Sequence, residues 1–206
     1  GPTEVGLTPE GRSFVDLIEA SLTAQAGPVL SPGEVVVVTG GARGVTAACS
    51  EALAAALRPT LLILGRSPEP QPEPDWLRDL TDEAAIKRAI LGQAKGKPPT
   101  PRAIGETYRL YMTNREVLAA IDRLEDAGAK VLYRSVDIRD CAAVRRALEE
   151  ARRLGPIRAV VHGAGVIADK RIEDKTPALF DEVFDTKVAG LRSLLAATSG
   201  DGLKAL

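Results

Sequence analysis

The 206-residue chain has a single histidine and two cysteines, and each scarcity excludes a class of chemistry. Cys49 and Cys141 stand far apart inside helix-like runs, so they form neither a disulfide framework nor a metal site. They read as small buried thiols of a cytoplasmic protein, and no metal is expected. Charge of one sign is also lacking: 27 Lys and Arg meet 28 Asp and Glu, a formal net charge of −1, with no basic block longer than two residues. Nothing there favours a phosphate backbone, and nucleic acid is not an expected partner. Apolar runs are only a few residues long, and no charged segment followed by an apolar one opens the chain, so no membrane partner or secretory segment is expected. What remains is enough chain for one domain, whose folding would remove roughly 70% of the unfolded surface from water.

Val35-Val36-Val37-Val38 is a β-branched run that stops at Thr39-Gly40-Gly41, and Thr46 to Leu57 is then Ala- and Leu-rich with helical spacing. The pattern reads strand, glycine turn, helix. It recurs where Thr60 to Leu64 ends at Gly65, Val131 to Val136 at Asp137, and Ala159 to Val161 at His162-Gly163. Continuous rather than alternating apolarity implies strands covered on both faces. The fold class is therefore α/β, a doubly wound parallel sheet of Rossmann-like type, with strands in the order 3-2-1-4. The fourth strand would then be an exposed apolar edge, and Lys204-Ala205-Leu206 reads as the start of a fifth. On this reading the fold is incomplete on its C-terminal side.

Helix boundaries are marked by side chains. Thr113-Asn114-Arg115-Glu116 reads as a capping box before Val117 to Ala127, with Gly128 at C′. Asp140 can cap a helix to about Leu154, and Thr176-Pro177 opens one to about Ala197. Residues 68–102 are read as a helical insertion: a proline-alternating spacer from Pro68 to Pro74, a helix from Trp76 to Leu91, and a second proline cluster. Residues 1–33 are read as a leader or linker with an amphipathic helix on Phe14, Leu17, Ile18 and Leu22, packed on the domain or docking a neighbour.

Candidate chemistry gathers at the strand ends. In Thr39-Gly40-Gly41-Ala42-Arg43-Gly44-Val45, glycines let the backbone approach a pyrophosphate, and the following helix offers it unpaired N–H groups. Gly65-Arg66-Ser67 has no acid until Glu69 and suits a 2′-phosphate, which favours NADP(H) over NAD(H). Arg43 is either a second cation for that phosphate or a solvated surface residue. Asp137 and Ile138 close the third strand, Asp137 either meeting an adenine amino group or capping a turn. His162-Gly163-Ala164-Gly165 lets cofactor and substrate sit against backbone, with His162 more a packed side chain than a base. Lys187 projects from an apolar stripe of Phe180, Val183, Phe184, Val188, Leu191, Leu194 and Leu195, either as a functional ammonium or as a snorkelling stem.

Thr39 to Thr46, Gly65-Arg66-Ser67, Val136-Asp137, His162 to Val166 and Thr186-Lys187-Val188-Ala189-Gly190 together resemble the ketoreductase domains of polyketide synthases, in the short-chain dehydrogenase/reductase superfamily. With its proline-rich insertion and Thr81-Asp82-Glu83-Ala84-Ala85, the chain looks most like the ketoreductase of polyunsaturated fatty acid synthases. The resemblance implies that residues 34–206 form the N-terminal part of an NADPH-binding domain. It implies reduction of a β-ketoacyl chain on acyl carrier protein, with other synthase domains as partners and Lys187 as the catalytic lysine. Asp169 alone matches the family's stereochemical motif, a lean toward the D-hydroxy product. Two departures stand out. Thr46 replaces the third glycine of the turn, and the family's catalytic Ser, Tyr and Asn would fall beyond Leu206. The chain alone is therefore expected to be inactive, and a catalytically silent cofactor-binding or scaffolding module, completed by another chain, is the alternative.

Overall fold

The computed structural model describes residues 5–19, 29–96 and 98–206. An antiparallel hairpin, β1 (Val5–Thr8) and β2 (Gly11–Phe14), comes first. Four parallel strands follow, β3 (Val35–Thr39), β4 (Thr60–Gly65), β5 (Lys130–Ser135) and β6 (Ile157–His162), in the spatial order β5-β4-β3-β6. This is the 3-2-1-4 order expected from the sequence. The crossovers hold α1 (Gly44–Leu57), then α2 (Glu83–Gln93) and α3 (Pro101–Asp126), then α4 (Cys141–Arg152). After β6 come a short 3₁₀ turn (Ile172–Asp174), α5 (Pro177–Phe184), a π-helical turn (Asp185–Ala189) and α6 (Gly190–Ala197).

Every residue of β3 is buried, because the central strand is covered on both faces. Val35, Val37, Leu62, Leu64 and Val160 pack under Val144 and Leu148 of α4 and Leu194 of α6. The alternate residues Val36, Val38, Leu61, Ile63 and Ala159 pack under Ala54 of α1 and Val117 and Leu124 of α3. Each fully buried valine or leucine contributes about 1.5–3 kcal/mol, so a charge at Val37 would unfold the sheet rather than bend it. Ala205 forms a parallel bridge with Ala159, its carbonyl accepting from the Val160 N–H at 3.2 Å.

Several local expectations give way to tertiary contacts. The leader helix is not formed by the described residues: Phe14 ends β2, and Leu17 and Ile18 lie exposed in irregular chain, 97% and 85% accessible. The fourth member of that stripe, Leu22, lies outside the described residues. The helix expected from Trp76 begins only at Glu83, where the Asp82 carboxylate accepts from Ala85 N–H at 2.8 Å. Thr113 to Glu116 is not a helix start either, because α3 begins at Pro101, capped by the Thr100 hydroxyl.

The capping-box residues anchor the insertion instead. Asn114 exchanges two hydrogen bonds of 2.8 Å with the Gln71 backbone. Arg115 pairs with Glu73 and donates to the carbonyls of Leu80 at 2.7 Å and Leu77 at 2.6 Å. A satellite core of Leu77, Ile86 and Ile90, with Trp76 edge-on to Tyr111, fills the space beneath. Both cysteines are exposed rather than buried. Cys141 opens α4, where its sulfur lies 2.9 Å from the Ser193 hydroxyl.

Candidate functional site

All four parallel strands point their carboxyl ends the same way, and the crossover direction reverses between β3 and β6. That switch point is where open α/β sheets leave a crevice. A groove of about 300 Å³ opens there. Gly40, Ala42 and Arg43 line it from the first turn, and Gly65, Arg66 and Ser67 from the end of β4. Asp137 and Ile138 contribute from beyond β5, and Gly163, Ala164 and Gly165 from beyond β6. Eleven of the expected cofactor residues thus converge on one groove.

The remaining expected residues support it. Thr39 and Gly41 are buried beneath the turn, and Gly41 has no room for a side chain because a Cβ would stand 2.7 Å from Val38 Cγ1. Gly40 has φ +72°, and a Cβ there would also meet the Gly163 carbonyl at 3.0 Å. Gly44 and Val45 open α1, with Val45 facing solvent. Arg43 precedes that helix without capping it, and no acid lies in its first turn. The first N–H groups of α1 are therefore free of side-chain partners, and the helix dipole puts partial positive charge at the groove.

His162 is a structural pin. Its Nε2 lies 2.9 Å from the Lys187 carbonyl and its Nδ1 2.9 Å from the Thr39 hydroxyl. A carbonyl only accepts, so Nε2 carries the proton and donates. In the neutral ring Nδ1 then accepts from Thr39 O–H, whose oxygen in turn accepts from Ala164 N–H at 3.1 Å. Three segments, β3, the glycine loop after β6 and the π turn, are tied together through one ring.

The apolar stripe divides at that turn. Thr186, Gly190, Ser193 and Leu194 face inward, whereas Phe180, Phe184, Val188 and Leu195 stay 57%, 48%, 39% and 38% exposed. Gly190 permits the close approach, since a Cβ would stand 2.4 Å from Ile138 Cδ1. Lys187 is exposed, not held within a buried stripe. Its Nζ lies 3.1 Å from where a Cβ on Gly165 would be, at the junction of the groove with an adjoining pocket of about 420 Å³. Ile167, Asp169, Phe180, Val183 and Phe184 line that pocket.

Asp137 caps the turn after β5. Its carboxylate accepts from the Arg139 N–H at 3.0 Å and pairs with the Arg139 guanidinium at 2.5 Å. That hydrogen-bonded guanidinium holds the Asp137 carboxyl below the ordinary range, against the opposing effect of burial. Arg43 forms an ion pair with Glu116 of α3 at 2.9 Å. Tyr133, Val136 and Thr186 also line the groove; Val136 and Thr186 belong to motifs read in the sequence without a site role, and Tyr133 was not anticipated. Tyr133 donates to the Ser67 carbonyl at 2.9 Å, and its hydroxyl fills the space over Gly65. An inward tyrosine near the end of a buried strand was the available signal. Thr46 occupies the space a side chain on Gly163 would need, its oxygen 2.3 Å from that Cβ position.

This topology, with a glycine turn at its switch point, defines a Rossmann-like α/β fold of the short-chain dehydrogenase/reductase type. The family model for the KR domain matches residues 34–206, and the chain belongs to that family. It is 36% identical over 185 residues to a polyunsaturated fatty acid synthase subunit from Thraustochytrium sp., a match that takes in 85% of this chain and 7% of that protein. A solved A-type ketoreductase of a modular polyketide synthase has a TM-score of 0.62 at 20% identity, over 99% of this chain and 35% of that one. A short-chain dehydrogenase from Mycobacterium paratuberculosis, solved bound to NAD, has a TM-score of 0.56 at 20% identity, over 82% and 51%. No helix among the described residues is long and apolar enough to cross a membrane.

Proposed function

We propose that the chain forms the cofactor-binding part of a cytoplasmic, NADPH-dependent ketoreductase. Its substrate is a β-ketoacyl thioester on acyl carrier protein, reduced to the β-hydroxyacyl thioester in polyketide or polyunsaturated fatty acid synthesis beside the other domains of a larger synthase. One observation carries the reading: the Arg43 position that leads into the uncapped start of α1, the glycine backbone of two loops and the Arg66-Ser67 pair border a single groove at the switch point. The residues fit a dinucleotide phosphate, because Gly40 and Gly163 leave only backbone at the crossing of the two loops and Arg66 stands exposed at the rim. When bound, NADPH supplies the hydride. The N–H groups of α1 hold the pyrophosphate, and Arg66 and Ser67 hold the 2′-phosphate. Lys187, at the junction with the apolar pocket, donates hydrogen bonds to the reacting end of the site and stabilises negative charge on the substrate oxygen.

The test pairs equilibrium titration of NADPH and NADH with turnover of a β-ketoacyl thioester, in the intact protein. Lys187→Ala is expected to cut turnover strongly while leaving the NADPH dissociation constant within about twofold, since its bond strengthens as charge develops. Arg66→Ala is expected to weaken NADPH by about 1.5–3 kcal/mol and NADH little. Equal affinity of the native protein for both cofactors removes the NADPH assignment. Unchanged turnover in Lys187→Ala removes the lysine from the mechanism, and binding without turnover in the native protein favours the silent module.

A further inference from the structure

We infer that Glu116, on the insertion helix, is a positioning residue for Arg43 and through it sets the preference of the groove for a 2′-phosphorylated dinucleotide. The inference rests on the NADPH reading above. Ala42 and Arg43 line both the main groove and the small hollow formed with Glu116, Ala119 and Arg123, and Arg43 is the charged one of the two. Arg43 lines the same groove as Arg66, Ser67 and Tyr133, whose hydroxyl donates to the Ser67 carbonyl, so it shares the mouth with the residues assigned to the 2′-phosphate.

Glu116 Oε2 meets Arg43 Nε as an ion pair at 2.9 Å, and among the described residues neither Nη of Arg43 donates a hydrogen bond to the protein. The carboxylate therefore orients the cation from its Nε side and leaves the Nη N–H donors available to phosphate oxygens. The carboxylate itself is rigidly presented. Val117, Ala120 and Leu124 bury one side of α3, and Arg123 donates to Glu51 of α1 at 2.7 Å. A free arginine would pay rotamer entropy on meeting phosphate, and the ion pair has already met part of that cost. The effect belongs to the dianionic 2′-phosphate, because an unphosphorylated ribose offers Arg43 no charge.

NADPH and NADH are titrated against the intact protein and its Glu116→Gln, Arg43→Met and double variants. Glu116 is exposed, so the isosteric amide leaves folding intact. Glu116→Gln is expected to raise the NADPH dissociation constant about two- to fivefold, the range of an exposed ion pair, with NADH unchanged. Glu116→Asp is expected to restore part of the loss, and in the Arg43→Met background Glu116→Gln should have no effect. Tighter or unchanged NADPH binding, an equal loss for both cofactors, or a persisting effect without Arg43 overturns the proposal. A native protein without NADPH preference overturns the underlying reading instead.

Discussion

Gly163→Ala should destabilise the fold through one identified contact, and removing that contact should rescue it. A Cβ at Gly163 would lie 2.3 Å from Thr46 Oγ1, 2.5 Å from Thr46 Cγ2 and 2.9 Å from Thr46 Cβ. Rotating the threonine swaps its two branches but leaves its Cβ in place, so no rotamer clears the clash and the loop after β6 must separate from the start of α1. Overpacking of this kind costs about 1–3 kcal/mol. For a chain of this size a loss of 2 kcal/mol lowers the melting temperature by roughly 4–8 °C. Thr46→Gly alone should cost about 1 kcal/mol for glycine in a helix. The double variant should cost no more than Thr46→Gly, a favourable coupling of about 2 kcal/mol. Urea titrations of the four proteins measure the cycle. Costs that add to within about 0.5 kcal/mol would refute the contact and the explanation of why this turn tolerates threonine.

Arg115→Met should loosen the insertion selectively: it loses the Glu73 pair and two carbonyl acceptors, about 2–3 kcal/mol for charged hydrogen bonds in a half-buried site. Amide exchange should quicken across residues 71–93 and stay slow in β3 and β4; a uniform change would show that Arg115 is not the local pin. Arg139→Met should raise the Asp137 pKa toward the ordinary range, followed by carboxyl NMR. Since the folded pKa is depressed, the stability this pair contributes is present above the unfolded-state pKa and is lost as pH falls through the folded value. The variant should therefore be less stable near neutrality and lose less on acidification, and an unmoved Asp137 titration contradicts the assigned cause.

Local chemistry announced the sheet and the groove. A continuous β-branched run, a glycine turn and an Ala-rich helix are decided by steric and burial preferences within some twenty residues, so β3, α1 and the groove residues from Gly40 to Arg43 were readable directly. Asp140 and Thr176-Pro177 started helices for the same reason. Thr113 to Glu116 misled because a capping signature marks a helix start only when no stronger start lies upstream, and Thr100-Pro101 is one. The roles of Asn114, Arg115 and Glu116 come from partners at Gln71, Glu73 and Arg43, brought near by the packing of α3.

The same division governs Lys187. Its place in the middle of the last helical stretch was legible, but its exposure was not, because helical periodicity assumes 3.6 residues per turn. The π turn breaks that period, and it is pinned from outside by the His162 bond to the Lys187 carbonyl and by the contact of Gly190 with Ile138. The sequence alone determined which segments become strands and where their glycine-rich ends gather, since those are short-range preferences. Only tertiary structure decided which side chains hold those ends in register, because contacts between residues 39 and 162, or 43 and 116, exist only once the sheet and its covering helices have formed.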